Sequence, residues 1–430
     1  MASQQREGFR DVRPTVRAQS PEERGTQETE TTAALPAAQQ RRVLSAAVLG
    51  GFVVVACWTG LTPLYPELAA TLKVRADLLG TIVGLAAALS IACQVPVGVL
   101  IDRLGARPFL VAGLATATVA TVIRAMAPNI VAFALGQMMM GLAVPLYAAG
   151  SITAVAAAYG GVRRGTPLGY IQSGTGLGQA TTFLAIGGLG SVLTWRQLSA
   201  GMGLLPLLVL PVAATMPDPI FRVRVSIASA VLDSLRFLAL RGPAQIALVT
   251  AGALAAGSAA LYVLPFALRG ASMGAGARGL LLLPYFLGAI IGAPLTGRAV
   301  GWLGYRATLG GLLPMGSIAA VVIATAGVHP ALVVASCFAL GASAVSAPAL
   351  AAGLAARSAR ALSVPTGAAL GGVRLAQTTG PALGPGMAGI VYVHAGTSVT
   401  LIAIAILFAA AGVGALATRA VVPERSAMGS

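Results

Sequence analysis

The stretch GVLIDRLGARP, residues 98–108, brings together an Asp, two Arg and two Gly in a chain that is otherwise poor in charge. The apolar runs that flank these charges, residues 78–101 and 108–127, contain one charged residue between them. Each run has close to the 20 or so residues that cross the hydrocarbon core of a membrane, roughly 30 Å thick. We therefore interpret the stretch as a short polar turn between two membrane-spanning helices.

The composition of the whole chain is that of an integral membrane protein. Of its 430 residues, 57% are hydrophobic and 9% are charged, whereas about 25% are charged in an average soluble domain. Membrane-spanning β-strands alternate in polarity, and the apolar runs of this chain do not. We predict an all-α polytopic membrane protein with twelve transmembrane helices. The predicted spans are residues 43–66, 78–101, 108–127, 129–158, 167–189, 198–216, 244–268, 279–297, 307–328, 330–355, 364–392 and 396–418.

The basic residues are distributed unevenly between the two sides of the predicted membrane. A net charge of +16 would suggest nucleic-acid binding in a soluble protein, but here the arginines collect in alternate loops. The positive-inside rule predicts that these loops and both termini are cytoplasmic, in a multi-pass protein of the cell inner membrane with no nucleic-acid partner. The Arg-rich loops and the C-terminal end hold Arg103, Arg107, Arg163, Arg164, Arg298, Arg306, Arg357, Arg360, Arg419, Arg425 and the stretch 222–241. The opposite loops hold Lys73, Arg75, Arg124, Arg196, Arg269 and Arg278.

The chain divides into two predicted six-helix bundles with polar segments around them. The bundles are residues 42–216 and 244–419, and a cytoplasmic central loop, residues 217–243, separates them. Residues 1–41 are polar and have no apolar signal-like run, so we predict a disordered cytoplasmic tail. Residues 420–430 form a second cytoplasmic tail.

The two bundles are related by an internal repeat. Shifting the sequence by 199 residues aligns Gly98 with Gly297 and Gly105 with Gly304. The opening stretch recurs as GRAVGWLGYRA, residues 297–307, at the corresponding helix end. Such pseudo-symmetric bundles enclose a site between their halves in many transporters.

The motif and its context resemble the major facilitator superfamily. The pattern of that family between helices 2 and 3 is G-x-x-x-D-R-x-G-R-R/K, and here an alanine replaces the first residue of the final basic pair. The matching residues are Gly98, Asp102, Arg103, Gly105 and Arg107. The resemblance covers about residues 42–420. It implies the major facilitator fold and a role for this motif in gating.

Further stretches resemble the drug:proton antiporter branch of the family. PLYPELAATL, residues 63–72, and TWRQ, residues 194–197, are similar to its helix 1 and helix 6. GPALGPG, residues 380–386, is similar to its G-P-x-x-G signature but falls in span 11, while span 5 has Thr175 where the branch has Pro. In span 4, Gln137 stands where the family often has an Arg linked to proton coupling.

The residues of the gating motif suit a contact between the two halves. Asp102 ends span 2, where its carboxylate can accept hydrogen bonds from a nearby helix N-terminus. Arg103 and Arg107 can bind carboxylates, carbonyls or lipid phosphates, and Gly98 and Gly105 allow close approach and a tight turn. We expect this cluster to close the cytoplasmic side when the cavity faces out. The alternative is that Arg107 is an ordinary loop charge.

Polar residues within the spans are candidates for a substrate cavity, because they are costly in lipid unless they face protein or water. Arg374 carries the only charge deep in a span of the second half. It either donates to neighbouring backbone carbonyls or meets an anionic group of the substrate. The predicted substrate-binding residues are Trp58, Thr62, Tyr65, Gln137, Gln172, Gln179, Arg374 and Gln377. The predicted helix-packing residues are Gly174, Gly178, Gly380, Pro381 and Gly384.

Acidic residues are scarce outside the N-terminal tail. Glu67, near the outer end of span 1, is the best candidate for a proton-coupling group, and the alternative is an exposed helix-end carboxylate. Cys57, Cys93 and Cys337 are far apart, so we predict no disulfide framework and no metal site. Neither a nucleophile with its base nor a phosphate-binding loop is found. We therefore predict no cofactor and no enzyme activity.

These features favour a secondary active transporter that works by alternating access as a monomer in the lipid bilayer. The leading hypothesis is export of a small, largely apolar organic compound, such as a drug or natural product, in exchange for protons. The alternative is uptake of a small organic anion by proton symport, motivated by Arg374 and by the lack of carboxylates near mid-membrane. A membrane-bound sensor without flux is a third hypothesis, which the duplicated halves disfavour.

Overall fold

The computed structural model describes residues 35–159, 165–217, 227–361 and 366–417, and within these ranges all regular elements are helices. The predicted tails, apart from residues 35–41 of the first, and part of the central loop lie outside the described residues. The helices are α1 (Ala37–Thr59), α2 (Tyr65–Thr71), α3 (Ala76–Leu104), α4 (Arg107–Met126), α5 (Ile130–Tyr159), α6 (Gly165–Leu189), α7 (Trp195–Ala214), α8 (Ile227–Leu238), α9 (Arg241–Gly270), α10 (Ala275–Ala326), α11 (Pro330–Ala361) and α12 (Thr366–Ala417), with a 3-10 turn at Thr62–Leu64.

The described helices are consistent with the predicted spans. Nine helical segments in the described part of the chain are long and apolar enough to cross a membrane. Two of them, in α10 and α12, belong to helices of 52 residues, each interrupted by a glycine with positive φ, Gly304 and Gly396. The helix α6 adds a further segment of 25 residues. Dividing α10 and α12 at these glycines is consistent with twelve spans.

The first span differs from its predicted form. The helix α1 begins at Ala37, several residues before the predicted boundary, and ends at Thr59 instead of running to residue 66. A 3-10 turn with Pro63 near its start follows, and the short helix α2 begins with Pro66 in its first turn. Both prolines thus stand in the first turn of a new element, where the N–H that proline lacks is not needed.

The internal repeat extends to the backbone of the two motif copies. Gly105 ends α3 with φ 89° and ψ 167°, and Gly304, its counterpart in the second half, has φ 77° and ψ 168°. This region of φ and ψ is open to glycine and costly for residues with a Cβ. Both copies therefore make the same turn by the same means.

The start of α7 explains the TWRQ stretch. The Thr194 hydroxyl accepts a hydrogen bond from the backbone N–H of Gln197, and the Gln197 side chain accepts one from the N–H of Thr194, which forms a capping box. Trp195 packs edge-on against Phe133 at 6.3 Å. Arg196 donates to the carbonyl of Ala127 at 2.6 Å. The TWRQ stretch thus holds the N-terminus of α7 against other helices of the first half.

The predicted packing glycines lie where helices of the same half approach closely. A Cβ at Gly174 or Gly178 would collide with the backbone carbonyl of Val48 or Phe52 in α1. A Cβ at Gly380 would collide with the Ala251 carbonyl of α9, and Gly384 is equally close to α9. Small residues at such crossings allow backbones to pack without side chains between them.

The two halves contact each other at one end of the bundle, which we call the Glu67 end. There Gly80 and Gly84 of α3 press against the carbonyls of Pro385 and Ala382 in α12. On the other flank, α6 and α10 meet through Gly187 and Gly279, and the rings of Phe183 and Phe286 lie 4.6 Å apart. At the opposite end, which we call the Gly105 end, a Cβ on Gly98 or on Gly297 would meet no atom within 4 Å. The molecule is closed at the Glu67 end.

Candidate functional site

A cavity of about 90 Å³ lies between the two halves. Four of the predicted substrate-binding residues, Trp58, Thr62, Tyr65 and Gln137, line it together, as does Pro381, which was expected only to pack helices. Among the described residues, its wall consists of Trp58, Thr59, Thr62, Tyr65, Val83, Ala87 and Gln137 from the first half and Ser258, Leu261, Tyr262, Pro381 and Pro385 from the second. The cavity is therefore shared by both bundles.

The break after α1 positions two of these side chains. Thr62 lies in the 3-10 turn and Tyr65 at the first position of α2, and both are buried. The Tyr65 ring lies 5.4 Å from the ring of Tyr262, across the boundary between the halves. Tyr262 donates its hydroxyl proton to the carbonyl of Ala76 at the start of α3. Aromatic contacts across the halves thus close the cavity toward the Glu67 end.

Most hydroxyl groups of the cavity wall donate a hydrogen bond to a backbone carbonyl of the protein. Thr59 donates to the carbonyl of Val55 at 3.0 Å, and Ser258 donates to that of Ala255 at 3.0 Å. Gln137 differs, because its Oε1 accepts a hydrogen bond from Arg124 at 3.1 Å. Among the described residues, no group accepts a hydrogen bond from the Gln137 amide N–H atoms. The side-chain amide of Gln137 can therefore donate a hydrogen bond to a ligand in the cavity.

Arg124 was expected in a loop, because it lies near the end of span 3. The structure places it elsewhere. It is fully buried in α4. Its Nη2 donates to the Cys57 carbonyl at 2.8 Å and lies 3.4 Å from the Thr121 hydroxyl, and its Nη1 donates to Gln137. Its Nε is buried and has no described partner. The sequence did contain a signal, since Arg124 is the one charge in its predicted span and therefore needs polar partners.

Arg278, also expected in a loop, is fully buried at the start of α10. It forms an ion pair with Glu67 of α2, whose side chain is 35% exposed. Its Nε donates to the carbonyl of Pro63 at 3.1 Å and its Nη1 to that of Met273 at 3.3 Å. The second oxygen of Glu67 is buried without a described partner. Glu67 and Arg278 thus join the two halves beside the closed end of the cavity.

The other predicted substrate-binding residues lie outside this cavity. Gln172 is exposed and Gln179 is partly exposed on α6. Gln377 is buried, with its amide 3.5 Å from the Thr250 hydroxyl and 3.4 Å from the Pro348 carbonyl. The side chain of Arg374, about two turns into α12, is exposed. Sequence position alone did not separate these residues from the four that meet.

The gating motif lies at the Gly105 end. Gly105 is the C-terminal cap of α3, Arg103 is exposed in the last turn of that helix, and Arg107 begins α4. The side chain of Asp102 lies outside the described residues. In the second copy, the Nε of Arg306 donates to the carbonyl of Leu416 at 3.1 Å. That bond links α10 to α12 within one half.

A metal site is not found in the described part of the chain, which contains no group of three or more His, Cys, Asp or Glu side chains close enough to hold an ion. The polar chemistry of the region instead comes from two buried guanidinium groups, Arg124 and Arg278. One is bonded to neutral oxygens and the other to a carboxylate.

Comparison with known structures shows the same fold. The human organic anion transporter MFSD10 (TETRAN) has a TM-score of 0.66 at 19% identity, covering 89% of this chain and 100% of that chain. A bacterial homologue of the human lysosomal transporter Spinster, in an inward-facing and unoccupied conformation, has a TM-score of 0.67 at 16% identity, covering 89% and 95%. A D-xylose-proton symporter has a TM-score of 0.71 at 14% identity, covering 88% and 97%.

Comparison of the sequence identifies the family. No curated protein sequence matches the chain. The family model described as Major Facilitator Superfamily matches residues 47–369. Because this match covers most of the chain and the solved structures share its fold, the chain belongs to the major facilitator superfamily and is a membrane transporter rather than an enzyme.

Proposed function

We propose that this transporter exports a small, largely apolar organic compound in exchange for protons, by alternating access. The observation that carries the proposal is the cavity between the halves, whose wall is mostly apolar and aromatic and comes from both bundles. Drug-sized ligands bind in pockets that are lined mainly by such side chains, with a few polar groups that fix orientation.

The small size of the cavity indicates that the two halves must move apart before a substrate can bind. Its volume is about 90 Å³, whereas pockets for drug-sized ligands measure about 300–1,000 Å³. A substrate of that size fits only when the halves separate. Closure around the substrate at one end and release at the other is the behaviour expected of two related bundles that rock around a shared site.

We propose that Glu67 couples proton movement to this rocking. A proton on Glu67 removes the negative charge that Arg278 contacts across the halves. The ion pair is then lost, while the hydrogen bond from Arg278 to Pro63 remains. Opening of the Glu67 end becomes more favourable when Glu67 is protonated, which links proton binding to the conformational change.

With both termini in the cytoplasm, as the arginine distribution predicts, the closed Glu67 end faces outward and the Gly105 end faces the cell interior. We propose that the gating motif, Asp102 with Arg103 and Arg107, makes the corresponding contact between the halves when the Glu67 end is open. The motif then stabilises the opposite state and does not touch substrate.

The test is flux in vesicles that contain the purified protein, with and without a pH gradient, across a panel of apolar drugs. Wild-type protein should release protons when substrate moves, and Glu67→Gln should move substrate without proton release. Asp77→Asn is the matched control, because Asp77 pairs with the exposed Arg75 of its own half at 3.0 Å. Absence of substrate-dependent proton movement in wild-type vesicles would contradict the proposal.

A second candidate is uptake of a small organic anion by proton symport. Its supporting observation is the buried positive charge of Arg124, which is bonded to a residue of the cavity wall. Arg374 is a further candidate contact during entry. The test is cellular uptake of small organic anions by Arg374→Ala and Arg374→Lys. Normal anion uptake by Arg374→Ala would contradict this second candidate.

A further inference from the structure

Arg124 is a buried charge without a paired anion in the described residues. Its side chain is fully buried, and its three hydrogen-bond partners among the described residues are the neutral oxygens of Gln137, Cys57 and Thr121. Its Nε has no described partner at all. Desolvating a guanidinium is costly unless its charge is compensated, so an arrangement of this kind is expected to favour a nearby anion.

Gln137 connects this charge to the cavity. A guanidinium can only donate, so the Gln137 atom that faces Arg124 must be the carbonyl oxygen and the amide N–H atoms must lie on its other side. Gln137 itself lines the cavity, as does Tyr65, whereas Arg124 stands behind the wall. Arg124 therefore fixes the orientation in which Gln137 presents donors to a ligand.

We infer that this pair makes the cavity selective for an organic anion, with a carboxylate oxygen of the substrate accepting a hydrogen bond from the Gln137 amide. This inference rests on the proposed function and specifies its substrate as an apolar body that carries one carboxylate. Gln137 is the contact residue. Arg124 is a positioning residue that also supplies the positive potential.

The preference for a carboxylate over an amine or an ester follows from charge. Within the described part of the chain no carboxylate lines the cavity, so a cationic head group would meet a positive potential without a counter-charge there. A ligand oxygen bonded to Gln137 lies roughly 7 Å from the guanidinium, and at an effective dielectric constant of about 20 the attraction favours an anion over a neutral group by at least about tenfold. An ester retains the hydrogen bond but lacks this attraction.

Binding to the purified full-length protein in detergent tests the inference, with benzoate, methyl benzoate and benzylamine as probes. These compounds share an aromatic ring and differ in the charge of the head group. Because Trp58 lines the cavity, quenching of its fluorescence reports occupancy when the other two tryptophans are replaced by Trp195→Phe and Trp302→Phe. We expect the affinity for benzoate to exceed that for methyl benzoate by at least about tenfold and that for benzylamine by more.

The decisive variant is Gln137→Glu, which places a carboxylate against Arg124 in nearly the same shape. It removes both the amide donor and the uncompensated charge, so the preference for benzoate should disappear while the fold is retained. Gln245→Glu adds the same negative charge at an exposed site of α9 and should leave the preference unchanged. Arg124→Lys should keep the preference at lower affinity, and Arg124→Met should lose it.

Equal affinity for benzoate and its ester, no binding of benzoate, or a benzoate preference that survives in Gln137→Glu overturns the inference. These measurements need no ion gradient and no flux. If the carboxylate preference is found and vesicles show no proton-linked transport, the proposed function fails and the inference stands. If vesicles transport only uncharged compounds, the inference fails and the proposed coupling stands.

Discussion

Replacing Arg278 with Met should open the Glu67 end of the transporter. Arg278 lies in the second half and bonds two groups of the first half, the Glu67 carboxylate and the Pro63 carbonyl. Hydrogen bonds that involve a charged group contribute about 1.5–3 kcal/mol each, so the loss of both weakens the closed state by about 3 kcal/mol or more. Methionine retains the apolar stem and limits the packing loss.

A change of this size is large for a conformational equilibrium. Each 1.4 kcal/mol is about a tenfold change in an equilibrium constant, so about 3 kcal/mol changes the ratio of closed to open molecules by roughly 100-fold. A protein that is nearly all closed at the Glu67 end would become a mixture of closed and open molecules. Removing Glu67 as well should restore part of the closed population, because a buried charge is most costly when its partner alone is removed.

Distances between spin labels measure this equilibrium directly. Ala70 and Ala271 are exposed at the Glu67 end, one in each half, and can carry labels in a background without the three native cysteines. Arg278→Met should add a population with longer distances, which wild-type protein lacks. Arg269→Gln is the matched control, because Arg269 also reaches the first half, at the Pro66 carbonyl, but its side chain is exposed and should matter less. Identical distance distributions for Arg278→Met and wild type would refute the reasoning.

Three further predictions concern the backbone and the gating motif. Gly105→Ala and Gly304→Ala should each lower the free energy of unfolding by about 1–3 kcal/mol, since both glycines combine a positive φ with ψ 167° or 168°, a region that residues with a Cβ rarely occupy. Gly98→Ala, with open space around it, is the control, and equal melting temperatures for all three would contradict this. Thr194→Ala should cost about 1 kcal/mol through loss of the capping box, measured in the same melting assay. Asp102→Asn should insert normally and lose transport in vesicles, and full flux would remove Asp102 from the gating motif.

The sequence was sufficient for the features that depend on periodicity and repetition. The apolar runs predicted the spans, and the 199-residue shift predicted that Gly304 would repeat the role of Gly105, which their matching backbone angles support. Trp58, Thr62 and Tyr65 were also predicted as cavity residues, and all three line the cavity although the helix breaks between Trp58 and Thr62. The spans and the cap glycines are local features, so neighbouring residues in sequence carry the information, and the repeat carries it from one half to the other.

The features that the sequence did not reveal depend on contacts between distant segments. Arg278 and Glu67 are separated by 211 positions, and nothing near either residue indicates that they meet. Arg124 was assigned to a loop because it lies close to the end of an apolar run. The partners that bury it are Cys57, 67 positions away, and Gln137 on the next helix. Only packing of the helices identifies such partners.

The two buried arginines suit different roles because of where their partners lie. The partners of Arg124, namely Cys57, Thr121 and Gln137, all belong to the first half, so the group moves as one body when the halves rock. We therefore expect the Arg124 charge and the Gln137 donors to keep their relative positions when the halves rock, as recognition requires. Arg278 bonds across the halves, so its contacts exist only while the Glu67 end is closed, as gating requires. A negative charge at position 137, as in Gln137→Glu, should thus change which ligand binds. Removal of the Arg278 side chain should instead change which end is open and leave the ligand selectivity unchanged.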